Sequence, residues 1–420
     1  MDNKKLFMKE NTKRLFSNTI FLYILTFSSQ FFNFLTVPYL TRILSPTIYG
    51  KVGIALAYMA YIQIVLDFGF ILSATQKVVE NRENNKILGK ILSTVTGVKL
   101  FLSLIIIVIF SSYILLNNKM KDDVIFYLLY MFSTIINALM PDFFYRGMEK
   151  MKIITIRTVI IRALATLGTF LFVKETTDYW LIPLFMLLGN IIAVFVMYYD
   201  IKKVYHITFE YVEITFVKKL LKETTLFFIS RIASTTYQVI NTIILNIIYG
   251  SSPIIGYYTS ADKIISLGKT VSGPIADSLY PYMIKQKNFS LIKNLLLLFM
   301  PIIIIGIGIV YWFADYICIW IFGIEYVETG KILKCLLPIL IVILPTYILC
   351  FPVMVPMGLS KWANMSNVIG MCFQILGFFF LIFNNRLNIY TLCILSSFTE
   401  IIVFIFRLTI VCFYKYFRSI

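Results

Sequence analysis

The chain has 420 residues, of which 59% are hydrophobic and 14% charged, with 38 Lys and Arg against 21 Asp and Glu for a net charge of +17. Soluble domains carry nearer a quarter charged residues. Apolar runs of about 20 residues recur from end to end, which excludes a water-soluble globular domain and defines an all-α polytopic membrane protein.

Twelve spans are predicted in chain order. They are Ser17–Val37, Tyr49–Leu72, Gly89–Leu116, Val124–Phe144, Ile153–Val173 and Tyr179–Tyr199, then Lys222–Tyr249, Ile255–Tyr280, Leu291–Phe313, Leu333–Val355, Trp362–Phe383 and Ile389–Phe413. The first run is too long for a cleaved leader and has no small-residue cleavage site, so it reads as a retained span. The longest polar segment is central. It divides the chain into an N-terminal six-helix half (residues 1–200), a linker (201–222) and a C-terminal six-helix half (223–420). The halves look related. Thr26, Gln30 and Asn33 of span 1 match Ser234, Gln238 and Asn241 of span 7 at one constant offset, and Gly50 and Gly256 open spans 2 and 8. Both copies run in the same direction, as in transporters built from parallel repeats around a central cavity.

Charge orients the spans. With an even number, both termini share one side. That side holds Lys4, Lys5, Lys9, Lys13 and Arg14, Lys77, Arg82, Lys86 and Lys90, Arg146, Lys150, Lys152 and Arg157, the linker lysines, Lys285, Lys287 and Lys293, Lys361, Lys415 and Arg418. The other side holds Arg42, Lys51, Lys119, Lys121, Lys174, Lys331, Lys334 and Arg386. This bias of about three to one puts both termini in the cytoplasm. Most of the positive charge is therefore topology, and no nucleic-acid partner is implied.

Six cations fall inside apolar spans: Lys99, Arg162, Arg231, Lys263, Lys269 and Arg407. A cation at mid-bilayer costs about 2.5–3.5 kcal/mol on insertion scales, so such residues face a bundle interior or water. Span 7 carries Arg231, Ser234, Thr235, Gln238, Asn241, Thr242 and Asn246 as one helical stripe. Span 1 has a lesser stripe of Thr26, Ser29, Gln30, Asn33 and Thr36, and span 8 has Asp262, Ser266, Lys269, Thr270 and Asp277. Ser and Thr could simply join helices by hydrogen bonds. Arg231 and Lys269 need more, because few acids lie at their depth. A hydrated cavity lined by Gln30, Asn33, Ser234, Gln238, Asn241 and Asp262, built to receive an anion, is expected. Asp67 and Asp142 read as solvated or capping groups near span ends, Asp262 as a neutraliser of Lys269 or a carrier of a coupling proton or sodium ion, and Glu400 and Arg407, seven residues apart on one helix face, as either a structural contact or functional groups.

Other chemistry is missing. No phosphate-binding G-x-x-x-x-G-K-[ST] run, H-E-x-x-H or G-x-S-x-G occurs, and external loops are too short for a membrane glycosyltransferase, so no enzyme, cofactor or metal is expected. The six cysteines have no C-x-x-C spacing and read as free thiols. His206, the sole histidine, is assigned no role.

Several segments together carry a resemblance. LTVPYLTRILSPTIYG (Leu35–Gly50), DFGF (Asp67–Phe70), ATQKVVENRENN (Ala74–Asn85), PDFFYRGMEKM (Pro141–Met151), GYYTSADKI (Gly256–Ile264) and GPIADSLYPYM (Gly273–Met283) occur in this order. The series resembles the Wzx-type flippases of O-antigen or capsule repeat units, members of the MOP superfamily with the MATE exporters and the lipid II flippases. Members usually have Trp and Gln where Phe143 and Arg146 stand, and often Glu where Asp262 stands. The resemblance implies two six-helix lobes around a central cavity in a bacterial plasma membrane. It implies movement of an undecaprenyl-diphosphate-linked oligosaccharide between leaflets by alternating access, with polysaccharide polymerase and chain-length proteins as partners. Arg231 and Lys269 are then the leading diphosphate ligands, followed by Arg162 and Lys99, since guanidinium and ammonium groups suit phosphate oxygens. Lys263 and Arg407 sit nearer span ends, where reaching for the headgroups explains them. A MATE-like cation antiporter is the rival on the same fold, although it would favour acids over bases in the cavity. A non-transporting assembly scaffold is the rival of another class.

Overall fold

The computed structural model describes the backbone of residues 2–250, 252–286 and 289–418. The side chains of residues 1–19, 22, 29, 33, 226, 227, 230, 251, 274, 277, 278, 281, 282, 284–288 and 415–420 lie outside the described set. Ser29, Asn33, Asp277, the N-terminal cations, Lys285, Lys287, Lys415 and Arg418 are therefore outside it.

Every regular element among the described residues is helical. The chain runs through α1 (Asp2–Ile43), α2 (Pro46–Asp67), α3 (Phe70–Glu80), α4 (Asn85–Leu116), α5 (Val124–Leu139), α6 (Asp142–Gly147), α7 (Met151–Phe172) and α8 (Leu181–Lys203). It continues through α9 (Ile214–Tyr249), α10 (Pro253–Gln286), α11 (Phe289–Trp312), α12 (Ala314–Phe322), α13 (Thr329–Leu336) and α14 (Pro338–Ile348). A π-helical turn at Leu349–Met354 precedes α15 (Ser360–Phe383) and α16 (Ile389–Arg418). Among the described residues, nine helical stretches are long and apolar enough to cross a membrane. They coincide with nine of the twelve predicted spans, and spans 1, 7 and 8 fall on α1, α9 and α10.

The breaks have local causes. Span 2 was expected to end at Leu72, but the helical stretch reaches Glu80 through a break at Phe68 and Gly69, with φ of 41° and 77°. Glycine takes this left-handed conformation at no steric cost. Span 4 breaks before Pro141, where Met140 is extended (φ −60°, ψ 133°), as the proline ring requires of the preceding residue. Long exposed rows such as Phe101, Leu104, Val108 and Ile109 on α4 match a lipid-facing surface.

The chain forms two compact units. The first comprises Met1–Val37 and Tyr58–Arg231, the second Pro38–Ala57 and Ile232–Ile420. In the first, Phe70, Val78, Leu88, Ile91, Phe144, Tyr145, Met197 and Ile207 share one core. The family-like segments meet here. Arg82 donates to the Gly147 carbonyl at 2.8 Å and pairs with Glu149 at 2.6 Å. Buried Tyr145 donates to Asp200 at 2.7 Å, and Arg157 pairs with Asp142 at 2.5 Å. The linker is docked: the Glu210 amide donates to Ser93 Oγ at 2.8 Å, and a Cβ on Gly89 would lie 2.5 Å from the Thr208 carbonyl.

The second unit takes up the C-terminal end of α1 and the N-terminal half of α2. Arg42 donates to the Trp320 carbonyl at 2.8 Å, and Tyr326 donates to the Leu44 carbonyl at 3.3 Å. The two glycines matched as repeat marks lie against one another. A Cβ on Gly50 would meet the Gly256 nitrogen at 2.9 Å, and one on Gly256 would meet the Pro46 carbonyl oxygen at 1.9 Å. One turn on, Gly53 faces Thr259, whose Oγ1 would lie 2.2 Å from an added Cβ. One core of this unit gathers Met283, Leu344, Ile348, Met354 and Val411. All six cysteines are free thiols.

Candidate functional site

Several expectations about the intramembrane charges need correction, because helical spacing cannot show which residue of another span lies opposite. The cations do not lack acids at their depth. Lys99, 5% exposed on α4, lies 3.6 Å from Asp67 and donates to the Ala138 carbonyl at the end of α5. Asp67 is thus a counter-ion and not simply a solvated group. Lys269 of α10 donates to Glu400 of α16 at 3.0 Å, so the carboxylate bonded to it is Glu400 rather than Asp262. Arg407 does not meet Glu400. It donates to Ser366 and the Thr346 carbonyl at 2.8 Å each and to Asn367 at 3.0 Å, and so ties α14, α15 and α16 together.

The α9 stripe divides. Asn241, 1% exposed, turns into the second unit, donating to Tyr258 at 3.2 Å and to Ser396. Gln374 of α15 donates to Asn241 at 2.8 Å and accepts from Thr399 of α16. This buried network continues one residue along α16 to Glu400 and hence to Lys269. Sequence reasoning missed Gln374, Ser396 and Thr399. Their signal was polar residues in otherwise apolar spans 11 and 12. The other edge of the stripe stays accessible: Arg231 and Gln238 are exposed and Ser234 is half-buried. Arg231 is also the residue at which α9 passes from the first unit to the second.

In the first unit, Arg162 is half-buried on α7. It falls on the same helical face as Thr155 and Thr166, which touch α1. Thr155 donates to the Phe21 carbonyl at 2.8 Å, and Thr166 lies 3.3 Å from Thr36. Gln30 is half-buried on α1, and Asp262 is half-buried on α10 seven residues before Lys269. No cluster of His, Cys, Asp and Glu suited to a metal occurs among the described residues.

A protein whose described elements are all helical, with nine described spans, intramembrane cations and an accessible polar face on α9, has the construction of a polytopic membrane transporter. Residues 15–287 match the family model described as "Polysaccharide biosynthesis protein", and the chain belongs to that family. Two curated relatives share the name "Putative O-antigen transporter". The one from Shigella dysenteriae is 24% identical over 397 residues, covering 93% of this chain and 98% of the relative. The one from Escherichia coli K12 is 25% identical over 291 residues, covering 69% and 70%. The fold is similar to that of the lipid II flippase MurJ in an inward closed conformation, with TM-score 0.75, 16% identity, and coverage of 94% of this chain and 87% of that one. It is also similar to an inward-facing MATE multidrug transporter of the MOP superfamily, with TM-score 0.71, 13% identity, and coverage of 91% and 94%. The fold is thus the MOP-type polytopic membrane fold, and these proteins are transporters rather than enzymes.

Proposed function

We propose that this protein moves undecaprenyl-diphosphate-linked oligosaccharide repeat units from the inner to the outer leaflet of a bacterial plasma membrane for surface polysaccharide assembly. The observation that carries this reading is the accessible face of Arg231, Ser234 and Gln238 in the middle of an apolar helix. In hydrocarbon such a face is costly, so it lines water. The diphosphate and sugars are the part of the substrate that cannot cross hydrocarbon, and the tail can stay in the membrane. Arg231 and Lys269 receive the diphosphate, with Arg162 next in line. Lys99 is the weakest of the four candidates, because it is the most deeply buried and Asp67 and Ala138 hold its ammonium, whereas Lys269, though paired with Glu400, is only half-buried. Gln30, Asn33, Ser234, Gln238 and Asp262 serve the sugar hydroxyls and the hydrated lining, whereas Asn241, expected there, is buried in the network with Gln374 and Ser396 and leaves the lining. The halves 1–200 and 223–420 alternate access, joined by 201–222, and a polymerase takes the product.

The test is complementation of a strain lacking this protein. Arg231→Ala should reduce surface polysaccharide at least tenfold at unchanged protein level, as loss of one charged hydrogen bond of about 1.5–3 kcal/mol implies. Arg231→Lys should retain part of it. Normal polysaccharide in Arg231→Ala would remove Arg231 from the site.

Both termini face the cytoplasm in this reading. A cysteine at His206, in a background without the six native thiols, should react with a membrane-impermeant maleimide only after the membrane is opened. A cysteine at Arg386 should react in intact spheroplasts. The reverse pattern would invert the topology.

A further inference from the structure

The second unit holds an elongated groove of about 550 Å³. One wall is α11, from Phe289 to Ile304, on the i, i+3, i+4, i+7 spacing of a single helical face. The facing wall is Val353 of the π-helical turn with Leu408 and Val411 of α16. Fifteen residues of helix rise make this wall about 22 Å long, a large part of the hydrocarbon thickness. Every lining side chain is apolar or a thiol except Lys293, which sits at the end of the groove in the first turns of α11. The π turn carries Pro352 and departs from regular α-helix along the groove, and α11 carries Pro301. Such π turns often mark functional sites.

A trough of this form fits one extended hydrocarbon chain whose anionic head lies at the Lys293 end. Lipid tails are as apolar as leucine, so merely entering an apolar groove brings no hydrophobic gain. Residence there has to come from shape and from charge at the mouth. A phospholipid brings two chains on one glycerol. A polyprenyl carrier brings a single chain, methyl-branched at regular intervals, against walls of Leu, Ile and Val, and its diphosphate offers two acidic groups to one ammonium. We propose that this groove holds the isoprenoid tail of the lipid-linked substrate, with Lys293 against the carrier phosphate in the cytoplasmic leaflet. The inference rests on the substrate and orientation proposed above. It assigns a loading position for the lipid, separate from the headgroup residues on α9 and α10.

The experiment uses the full-length protein in bilayers of phosphatidylethanolamine and phosphatidylglycerol. The probe is a polyprenyl diphosphate with a photoreactive diazirine in its tail, and labelled peptides are mapped. Labelling is expected on α11 near Ile304 and on the facing segments around Val353 and Leu408. Excess unlabelled polyprenyl diphosphate should suppress it several-fold, and the same excess of phosphatidylglycerol should not. Lys293→Gln should lower labelling several-fold, and Leu297→Trp, which fills the groove from a lipid-exposed position, should abolish it. Equal suppression by phosphatidylglycerol would reduce the groove to an ordinary lipid contact and overturn the proposal. So would labelling confined to other helices, or Lys293→Gln and Leu297→Trp proteins that label like the unsubstituted one. If the groove fails while the unsubstituted protein still restores surface polysaccharide, the tail site is wrong and the transport reading stands. If the protein does not restore polysaccharide at all, the transport reading itself fails.

Discussion

Gly256→Val prevents the second unit from closing around the ends of α2 and α10. The Cβ of any residue at 256 would lie 1.9 Å from the Pro46 carbonyl oxygen, and that obstacle is backbone, which cannot rotate away. Gly53→Ala meets a different obstacle. Its Cβ would lie 2.2 Å from Thr259 Oγ1 and 2.7 Å from its Cγ2, both side-chain atoms. Overpacking of this kind costs about 1–3 kcal/mol. Removal of the obstructing atoms in Gly53→Ala/Thr259→Ala should recover much of the loss, whereas Thr259→Ala should do nothing for Gly256→Val. The measurement is the thermal midpoint of purified protein in detergent, with membrane protein level beside it. A Gly256→Val protein of ordinary stability would show that α2 and α10 do not approach this closely.

Lys269→Met should be the most damaging single change at the buried network. Its loss leaves Glu400, whose side chain is 5% exposed, without its partner among apolar helices. Truncating one member of a buried pair costs about 3–5 kcal/mol, largely from the charge left behind. Lys269→Met/Glu400→Gln removes both charges and should regain protein level and thermal stability. The two roles of Lys269 separate here. If Lys269 also meets the substrate diphosphate, the double variant folds, reaches the membrane and still fails to restore surface polysaccharide. If Lys269 is only the counter-ion of Glu400, the double variant restores both, and Lys269 leaves the list of substrate ligands.

The spans were legible because hydrocarbon imposes a length and a composition that any 20-residue window reveals. Interruptions within them were not read: span 4 was expected to run through Pro141 to Phe144, although the proline breaks it after Leu139, and Phe68–Gly69 sat inside a run that reads as continuous. The π turn at Leu349–Met354 left no sequence mark that separates it from an α-helix containing Pro345 and Pro352. Periodicity placed Asn241 and Gln238 on one stripe of α9. It could not show that Asn241 faces Gln374 and Ser396 while Gln238 stays accessible, because one helix's period contains nothing about its neighbours. The same limit hid the pairs Lys269–Glu400 and Lys99–Asp67, whose members come from different spans. Gly50 and Gly256 were read as marks of repetition. Their close packing explains why a residue without a side chain stands at both places.

Flipping in a purified system tests the central proposal most directly. Proteoliposomes would carry a fluorescent lipid-linked oligosaccharide on an undecaprenyl diphosphate carrier in both leaflets, and an impermeant reductant would bleach the outer one. With the protein present, the inner pool should become bleachable at a rate well above that of protein-free vesicles, and Arg231→Ala should bring the rate back towards theirs. An unaltered rate with folded protein under an imposed proton or sodium gradient of either direction, together with export of an organic cation by the same vesicles, would contradict it and favour the cation-antiporter reading of the fold.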